Sequence, residues 1–259
     1  MPIYAKYLLG DSELQRLLVK FPELRASPDD YCPTCEKTGT YLWEGKDYAC
    51  DCADQLGLYK KYLSSGIGKP YQRLMWDDVD PELDPQLQPI YKFLDDPEKY
   101  LSRGIGVYLW GPPGTGKTMI ATLILKDLIR KGHTGFSATM AGMVEYFTAG
   151  WGGNTDEKAW FTDKFLSSQV LVLDELRRDN RLAESTFDHI LRTRVHEGRP
   201  TIITTTLTPD ELESGYGSSV LSLIVQQSIV VNLDRQNYRG KAHDRLMREI
   251  ELGEIRPIR

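Results

Sequence analysis

The stretch Gly111-Pro112-Pro113-Gly114-Thr115-Gly116-Lys117-Thr118 decides how this chain is read. It satisfies G-x-x-x-x-G-K-[ST], the P-loop pattern. An apolar, strand-like run from Ile105 to Trp110 precedes it, and a helix-like run from Met119 to Arg130 follows. Such a loop works only at a strand-to-helix junction. Its glycines let the backbone curl around a phosphate with the N–H groups pointing inward, and the helix N-terminus adds partial positive charge. Lys117 is placed to reach β- and γ-phosphates and Thr118 to ligate Mg²⁺, with Met119 the next residue of the phosphate-binding turn.

A second segment fits the first. Val170-Leu171-Val172-Leu173-Asp174-Glu175 is a short apolar run that ends in two carboxylates. A continuous apolar run of this length suits a strand buried on both faces of a parallel sheet. Open α/β sheets place ligands at the C-terminal ends of such strands. Asp174 is expected to hold Mg²⁺, directly or through water, and Glu175 to polarise the water that attacks a γ-phosphate. The bland alternative, an acidic pair that only caps the next segment, loses ground beside a complete P-loop upstream.

The pattern from about Tyr91 onward alternates helix and strand. Candidate strands are Ile105–Trp110, Gly135–Met140, Gln169–Leu173, Thr201–Thr206 and Ile229–Leu233. They predict an α/β fold, a five-stranded doubly wound parallel sheet of the P-loop type. With 259 residues the chain has room for this domain and a small module. A net charge of −5 argues against a wholesale basic nucleic-acid binder while leaving room for a local basic stripe. No apolar run approaches the ~18 residues needed to cross a membrane. The start, Met1-Pro2-Ile3-Tyr4, is unlike a secretory signal, so a cytoplasmic protein is expected.

All four cysteines fall in one short region, as Cys32-x2-Cys35, fourteen residues, then Cys50-x-Cys52. Two close pairs around a hairpin-like Tyr41–Tyr48 segment suit a tetrahedral structural Zn²⁺ site. Disulfides are the competitor, disfavoured in the cytoplasm, and isolated buried thiols would not cluster this way. Ahead of them, Ser12 to Phe21 has capping-box spacing and an amphipathic pattern. A region this small buries little apolar surface, which gives a metal staple a purpose. Ser64 to Gly68 reads as a linker, and the Pro- and Asp-rich stretch Asp77–Pro89 as a tether or strap. The expected organisation is therefore 1–63, 64–89 (linker and strap) and 90–259 (P-loop domain).

Beyond the two acidic residues, Ile190-Leu191-Arg192-Thr193-Arg194-Val195, Gly198 to Thr205, Leu207-Thr208-Pro209-Asp210-Glu211-Leu212 and Asn237-Tyr238-Arg239 follow in order. Together with the P-loop they resemble the AAA+ ATPases of the DnaC/DnaI/IstB-like clade, over about residues 90–245. The resemblance implies ATP and Mg²⁺ as ligands and a slow ATPase. Lys117 and Thr118 would bind phosphate and metal, Asp174 and Glu175 would form the Walker B pair, Thr206 would serve as sensor 1 and Arg239 as sensor 2. The cysteine module of residues 1–63 would dock a partner. That partner is implied to be a hexameric replicative DNA helicase, loaded onto single-stranded DNA, with self-association in ATP. The transposition ATPases of the same clade give a second expectation, and a nucleotide-gated adaptor with little hydrolysis a third.

Two positions depart from the clade. Thr206 stands where Asn is usual, with shorter reach. Leu223 stands where an Arg finger is expected, and a finger supplied in trans is worth ~10³-fold or more in phosphoryl transfer. Arg178, Arg181, Arg192 and Arg194 are candidate substitutes, Arg194 the preferred one, each weighed against an ordinary ion-paired surface role. For single-stranded DNA, Tyr146, Phe147, Trp151, Trp160 and Phe161, flanked by Lys158 and Lys164, offer aromatic faces; packing into a local core is the alternative.

Overall fold

The computed structural model describes residues 40–43, 45–49, 58, 60–150, 155–178 and 181–252. The chain divides into two compact units, Ser64–Arg256 and Met1–Leu63 with Pro257–Arg259.

In the smaller unit, β1 (Thr40–Trp43) and β2 (Lys46–Ala49) form an antiparallel hairpin with Trp43 opposite Lys46 and Thr40 opposite Ala49. Gly45, at φ +76°, supplies the left-handed backbone that so tight a turn needs. Cys32, Cys35, Cys50 and Cys52, and with them the zinc expectation, lie outside the described residues, as does the expected helix around Ser12–Phe21.

In the larger unit, β3 (Gly106–Trp110), β4 (Gly135–Thr139), β5 (Val170–Leu176), β6 (Thr201–Thr205) and β7 (Ser228–Asn232) form a five-stranded sheet in the order β4-β5-β6-β3-β7. Every pairing is parallel. The inner strands carry the most apolar sequences. Val107 to Leu109, Leu171 to Leu173 and Ile202–Ile203 are almost completely buried, as a strand covered on both faces requires. Helix α1 (Asp84–Asp95) precedes the sheet, and α2 (Lys117–Arg130), α3 (Met140–Ala149), α4 (Thr155–Phe161), α5 (Arg181–His196), α6 (Pro209–Tyr216), α7 (Ser218–Gln226) and α8 (Arg239–Leu252) follow the strands. A π-helical turn, Thr162–Ser167, joins α4 to β5. No described helix is long and apolar enough to cross a membrane.

Two segments behave differently from their sequence expectation. The supposed linker at 64–68 is docked: Ser65 and Ile67 are buried, and the Ser137 amide at the β4 edge donates to the Ser65 carbonyl over 2.8 Å. The Pro- and Asp-rich stretch is helical from Asp84, even through Pro89, because Leu87, Ile90, Phe93 and Leu94 all reach the core. Burying four such side chains is worth several kcal/mol, about 1.5–3 each, against one lost backbone bond.

Candidate nucleotide site

The C-terminal ends of β3, β5 and β6 open into one cavity of about 810 Å³, a size suited to a nucleotide-sized ligand. Its floor is the loop after β3. Gly116 takes φ +94° as the N-cap of α2, aiming the first free amides of that helix at the cavity. Gly114 takes φ +79°, and a Cβ there would sit 2.1 Å from the Asn237 side chain, so glycine is demanded twice over. The cradle is closed on one side by the Tyr238 amide, which donates to the Gly114 carbonyl over 2.9 Å.

Lys117 is buried and folded back onto the loop. Its Nζ donates to the carbonyls of Gly111 (2.8 Å) and Pro112 (2.6 Å) and approaches Thr115 Oγ1 (3.3 Å). Burial pulls its ammonium down to about 8; Asp174 pulls the other way and Arg239 adds to the depression. An ammonium held by neutral carbonyls can exchange them for phosphate oxygens, which bind it more strongly.

Asp174 sits at the end of β5, 7% exposed, with Oδ1 accepting from Thr118 Oγ1 at 3.0 Å and from Thr204 Oγ1 at 2.5 Å. Thr118 and Asp174 are thus already adjacent, and one carboxylate beside one hydroxyl is a hard oxygen donor set of the kind Mg²⁺ takes alongside phosphate oxygens and waters. Glu175 points into the cavity and is exposed. It is the single non-glycine residue with positive φ (58°) among the described residues, a conformation that costs about 1–2 kcal/mol.

Thr206 and Arg239 line the same cavity. Thr206 is exposed just past the end of β6, while Arg239 opens α8, its amide donating to Asn237 Oδ1 over 3.0 Å. The remaining wall is a segment ahead of the expected domain start. Lys69, Pro70, Tyr71, Arg73, Leu74 and Asp78 all face the cavity. This strap is fastened to α2 by Lys126, whose buried Nζ donates to the carbonyls of Tyr71 (3.1 Å), Gln72 (2.9 Å) and Leu74 (2.6 Å). Trp76 Nε1 adds a bond to Asp127 Oδ2 at 2.6 Å. On the other side Asp78 pairs with Arg245 of α8 and Asp80 with Arg235 (3.2 Å). Burial raises the Tyr71 hydroxyl pKa, as do the nearby Asp174 and Glu175 carboxylates, with Arg239 opposing.

Other expected residues lie elsewhere. Arg194, the preferred finger candidate, is 0% exposed and cannot reach a neighbouring molecule. Its guanidinium donates to the carbonyls of Phe165, Leu166, Ser168, Gln169 and Pro200 and to Thr201 Oγ1. It caps the orphan carbonyls at the end of the π-helical turn, which have no intrahelical donor. Arg192 is exposed but tied to Asp188 Oδ1 (2.8 Å) and Ser219 Oγ (3.2 Å). The aromatics after β4 pack on each other: Phe161 stacks on Phe165 with centroids 4.6 Å apart, and Trp160 meets Phe136 and Tyr146. Tyr146 alone of the described set is an exposed ring, at 38%. Trp151 lies outside the described residues.

Sequence reasoning missed Thr204, Tyr71 and Asn237. The available signal for Thr204 was a threonine late in a fully buried strand beside the acidic one, since a buried hydroxyl needs a partner. Tyr71 carried none, being distant in sequence from every motif.

Comparison with known proteins agrees with this geometry. The family model described as IstB-like ATP binding protein matches residues 98–245. The chain is 29% identical, over 151 residues, to the ATP-binding protein of insertion sequence IS5376 from Geobacillus stearothermophilus, covering 54% of this chain and 57% of that protein. It is 33% identical over 111 residues to the ATP-dependent zinc metalloprotease FtsH 3 of Symbiobacterium thermophilum, covering 40% of this chain and 17% of that protein. The chain therefore spans just over half of the first relative's length and a small fraction of the second's. Among solved structures, the DnaC helicase loader superposes with a TM-score of 0.55 at 25% identity, covering 64% of this chain and 99% of that one. DnaI superposes equally well, TM-score 0.55, at 18% identity over 64% of this chain and 93% of that one, which shows a shared fold.

Proposed function

The chain belongs to the IstB-like ATP-binding proteins, a family of AAA+ ATPases, and from that premise we propose that it is an ATP-dependent loader of a hexameric replicative DNA helicase. The observation that carries this choice is the likeness to the DnaC helicase loader along 99% of that chain.

The chemistry follows from residues already adjacent. The P-loop amides from Gly114 to Thr118 and the Lys117 ammonium receive the β- and γ-phosphates, Lys117 leaving the Gly111 and Pro112 carbonyls as it does so. Thr118 and Asp174 hold the magnesium, which when bound neutralises charge on the phosphate oxygens. Glu175 accepts a proton from water as its oxygen bonds to the γ-phosphorus and the bond to the β-γ bridging oxygen breaks. Thr206 and Arg239, which line the cavity, would serve as the residues that sense the γ-phosphate. Leu223 on α7, half-buried, supplies no cation, so turnover by the lone chain is slow. ATP then works as a switch: γ-phosphate contacts hold a state bound to helicase and single-stranded DNA, and hydrolysis releases it. Residues 1–63, stapled by Zn²⁺ on Cys32, Cys35, Cys50 and Cys52, form the docking module of a cytoplasmic protein that self-associates in ATP.

The test is affinity capture from native lysate in a slowly hydrolysed ATP analogue, read by mass spectrometry. Recovery of the replicative helicase, lost on deletion of residues 1–63, is the expected result. A second reading is favoured by the IS5376 relative, whose insertion-sequence origin fits an ATPase that directs a transposase. Recovery of a transposase, or of long DNA-bound self-oligomers without helicase, would replace the first reading with the second.

A further inference from the structure

Strands β5 and β6 run in register from Leu171 opposite Thr201 to Leu173 opposite Ile203, then resume at Leu176 opposite Thr205. Two β5 residues, Asp174 and Glu175, therefore face the single residue Thr204. That is a β-bulge, the device by which a strand re-aims side chains beside a site. A bulge breaks the backbone ladder and removes the partner from one amide. Here the Glu175 N–H donates to a side chain, Thr204 Oγ1, over 3.0 Å. The same hydroxyl donates its proton to Asp174 Oδ1 at 2.5 Å. Thr204 is 2% exposed, so water does not compete for either bond.

We propose that Thr204 is the positioning residue of the hydrolytic site: its one hydroxyl, used as donor and acceptor at once, sets the metal-binding carboxylate of Asp174 and the left-handed backbone of Glu175 together. This rests on the roles of Asp174 and Glu175 proposed above. Thr118 Oγ1 shares Asp174 Oδ1 with Thr204. When Thr118 turns to a metal ion, Thr204 remains as the bond that keeps the carboxylate aimed. Without it, Glu175 has no side-chain acceptor for its amide and the bulge loses its hold on φ +58°. Thr204 touches neither phosphate nor water in this scheme. Its neighbour Thr205 does a different task, donating to the Leu176 carbonyl at 2.5 Å to close the far end of the bulge.

The test compares Thr204→Val, which keeps volume and β-branching but has no hydroxyl, with Thr204→Ser, which keeps the hydroxyl. Turnover is titrated with Mg²⁺ at saturating ATP, ATP binding is measured in EDTA, and thermal melting checks the fold. Thr204→Val should raise the Mg²⁺ half-saturation and lower kcat by about 10- to 100-fold, the usual scale for losing an outer-shell partner of a metal site. ATP binding without metal should stay unchanged, and Thr204→Ser should recover most of the loss. Wild-type Mg²⁺ dependence and kcat in Thr204→Val overturn the proposal, as does an equal loss of metal-free binding. If Thr204→Val does not fold, Thr204→Cys, a weaker donor, replaces it; equal Mg²⁺ half-saturation for serine and cysteine then overturns the proposal. Failure of the wild-type chain to hydrolyse ATP would sink the ATPase role instead. In that case Mn²⁺ retention in the ATP complex, read by electron paramagnetic resonance, still separates Val from Ser.

Discussion

Replacing Arg194 by Met separates a structural arginine from a catalytic one. The guanidinium is fully buried and its partners are five carbonyls and the Thr201 and Ser168 hydroxyls, with Pro200 O (2.7 Å) and Ser168 O (3.0 Å) the closest carbonyls. Methionine keeps the length and the apolar stem but offers no donor. If only two carbonyls are left bare, at about 1–3 kcal/mol each, the cost is about 2–6 kcal/mol. Relief from burying a cation among neutral groups returns part of this, so the expected loss is about 3 kcal/mol. In a unit of this size each kcal/mol moves the melting point by about 2–4 °C, so Tm should fall by about 6–12 °C. The assay is thermal and urea unfolding of the full chain, with ATP turnover measured well below Tm. Turnover per folded molecule should be nearly unchanged. A wild-type Tm with abolished turnover would refute the staple and restore Arg194 as a group acting on a neighbour's nucleotide.

Further outcomes concern the nucleotide and the metal. Nucleotide affinity should weaken as pH rises above about 8, where Lys117 in the free chain loses its proton; bound phosphates raise that pKa, so calorimetry in buffers of different ionisation enthalpy should show proton uptake on binding. Gly114→Ala should cost ATP binding tenfold or more, about 1.4 kcal/mol or above, because its Cβ overlaps Asn237 and φ is +79°; wild-type affinity would show the loop to be more yielding. Lys126→Met should lower stability by about 1.5–3 kcal/mol and weaken ATP binding as well, since the strap it holds is a cavity wall. Elemental analysis of the full chain should find one zinc, lost when Cys32 and Cys35 are replaced by Ser; well-folded protein without metal would remove the zinc module.

Much of the fold was legible because its signals are local. Each of the five expected strands begins or ends within a few residues of the observed one, β5 running furthest beyond its expected end, to Leu176. That extension is the bulge: Asp174 and Glu175 look like a strand's polar end in sequence, yet the ladder resumes after them. Leu87 to Leu94 were hidden by their prolines, and Ser65–Ile67 by a glycine-serine composition that usually marks a linker. Both segments are ordered by surfaces that come from distant parts of the chain.

The sequence by itself determined the P-loop, the acidic strand end, the parallel sheet and the family, because each is written in consecutive residues whose backbone needs and side-chain chemistry act over one turn or strand. Only the tertiary structure decided that Arg194 is a buried staple, that Tyr71 lines the nucleotide cavity on a segment held by Lys126, and that Thr204 joins Asp174 to Glu175. Those roles depend on which carbonyls and hydroxyls are left without partners once the helices and strands are packed, and an unpaired group is a property of the packed arrangement rather than of any stretch of chain.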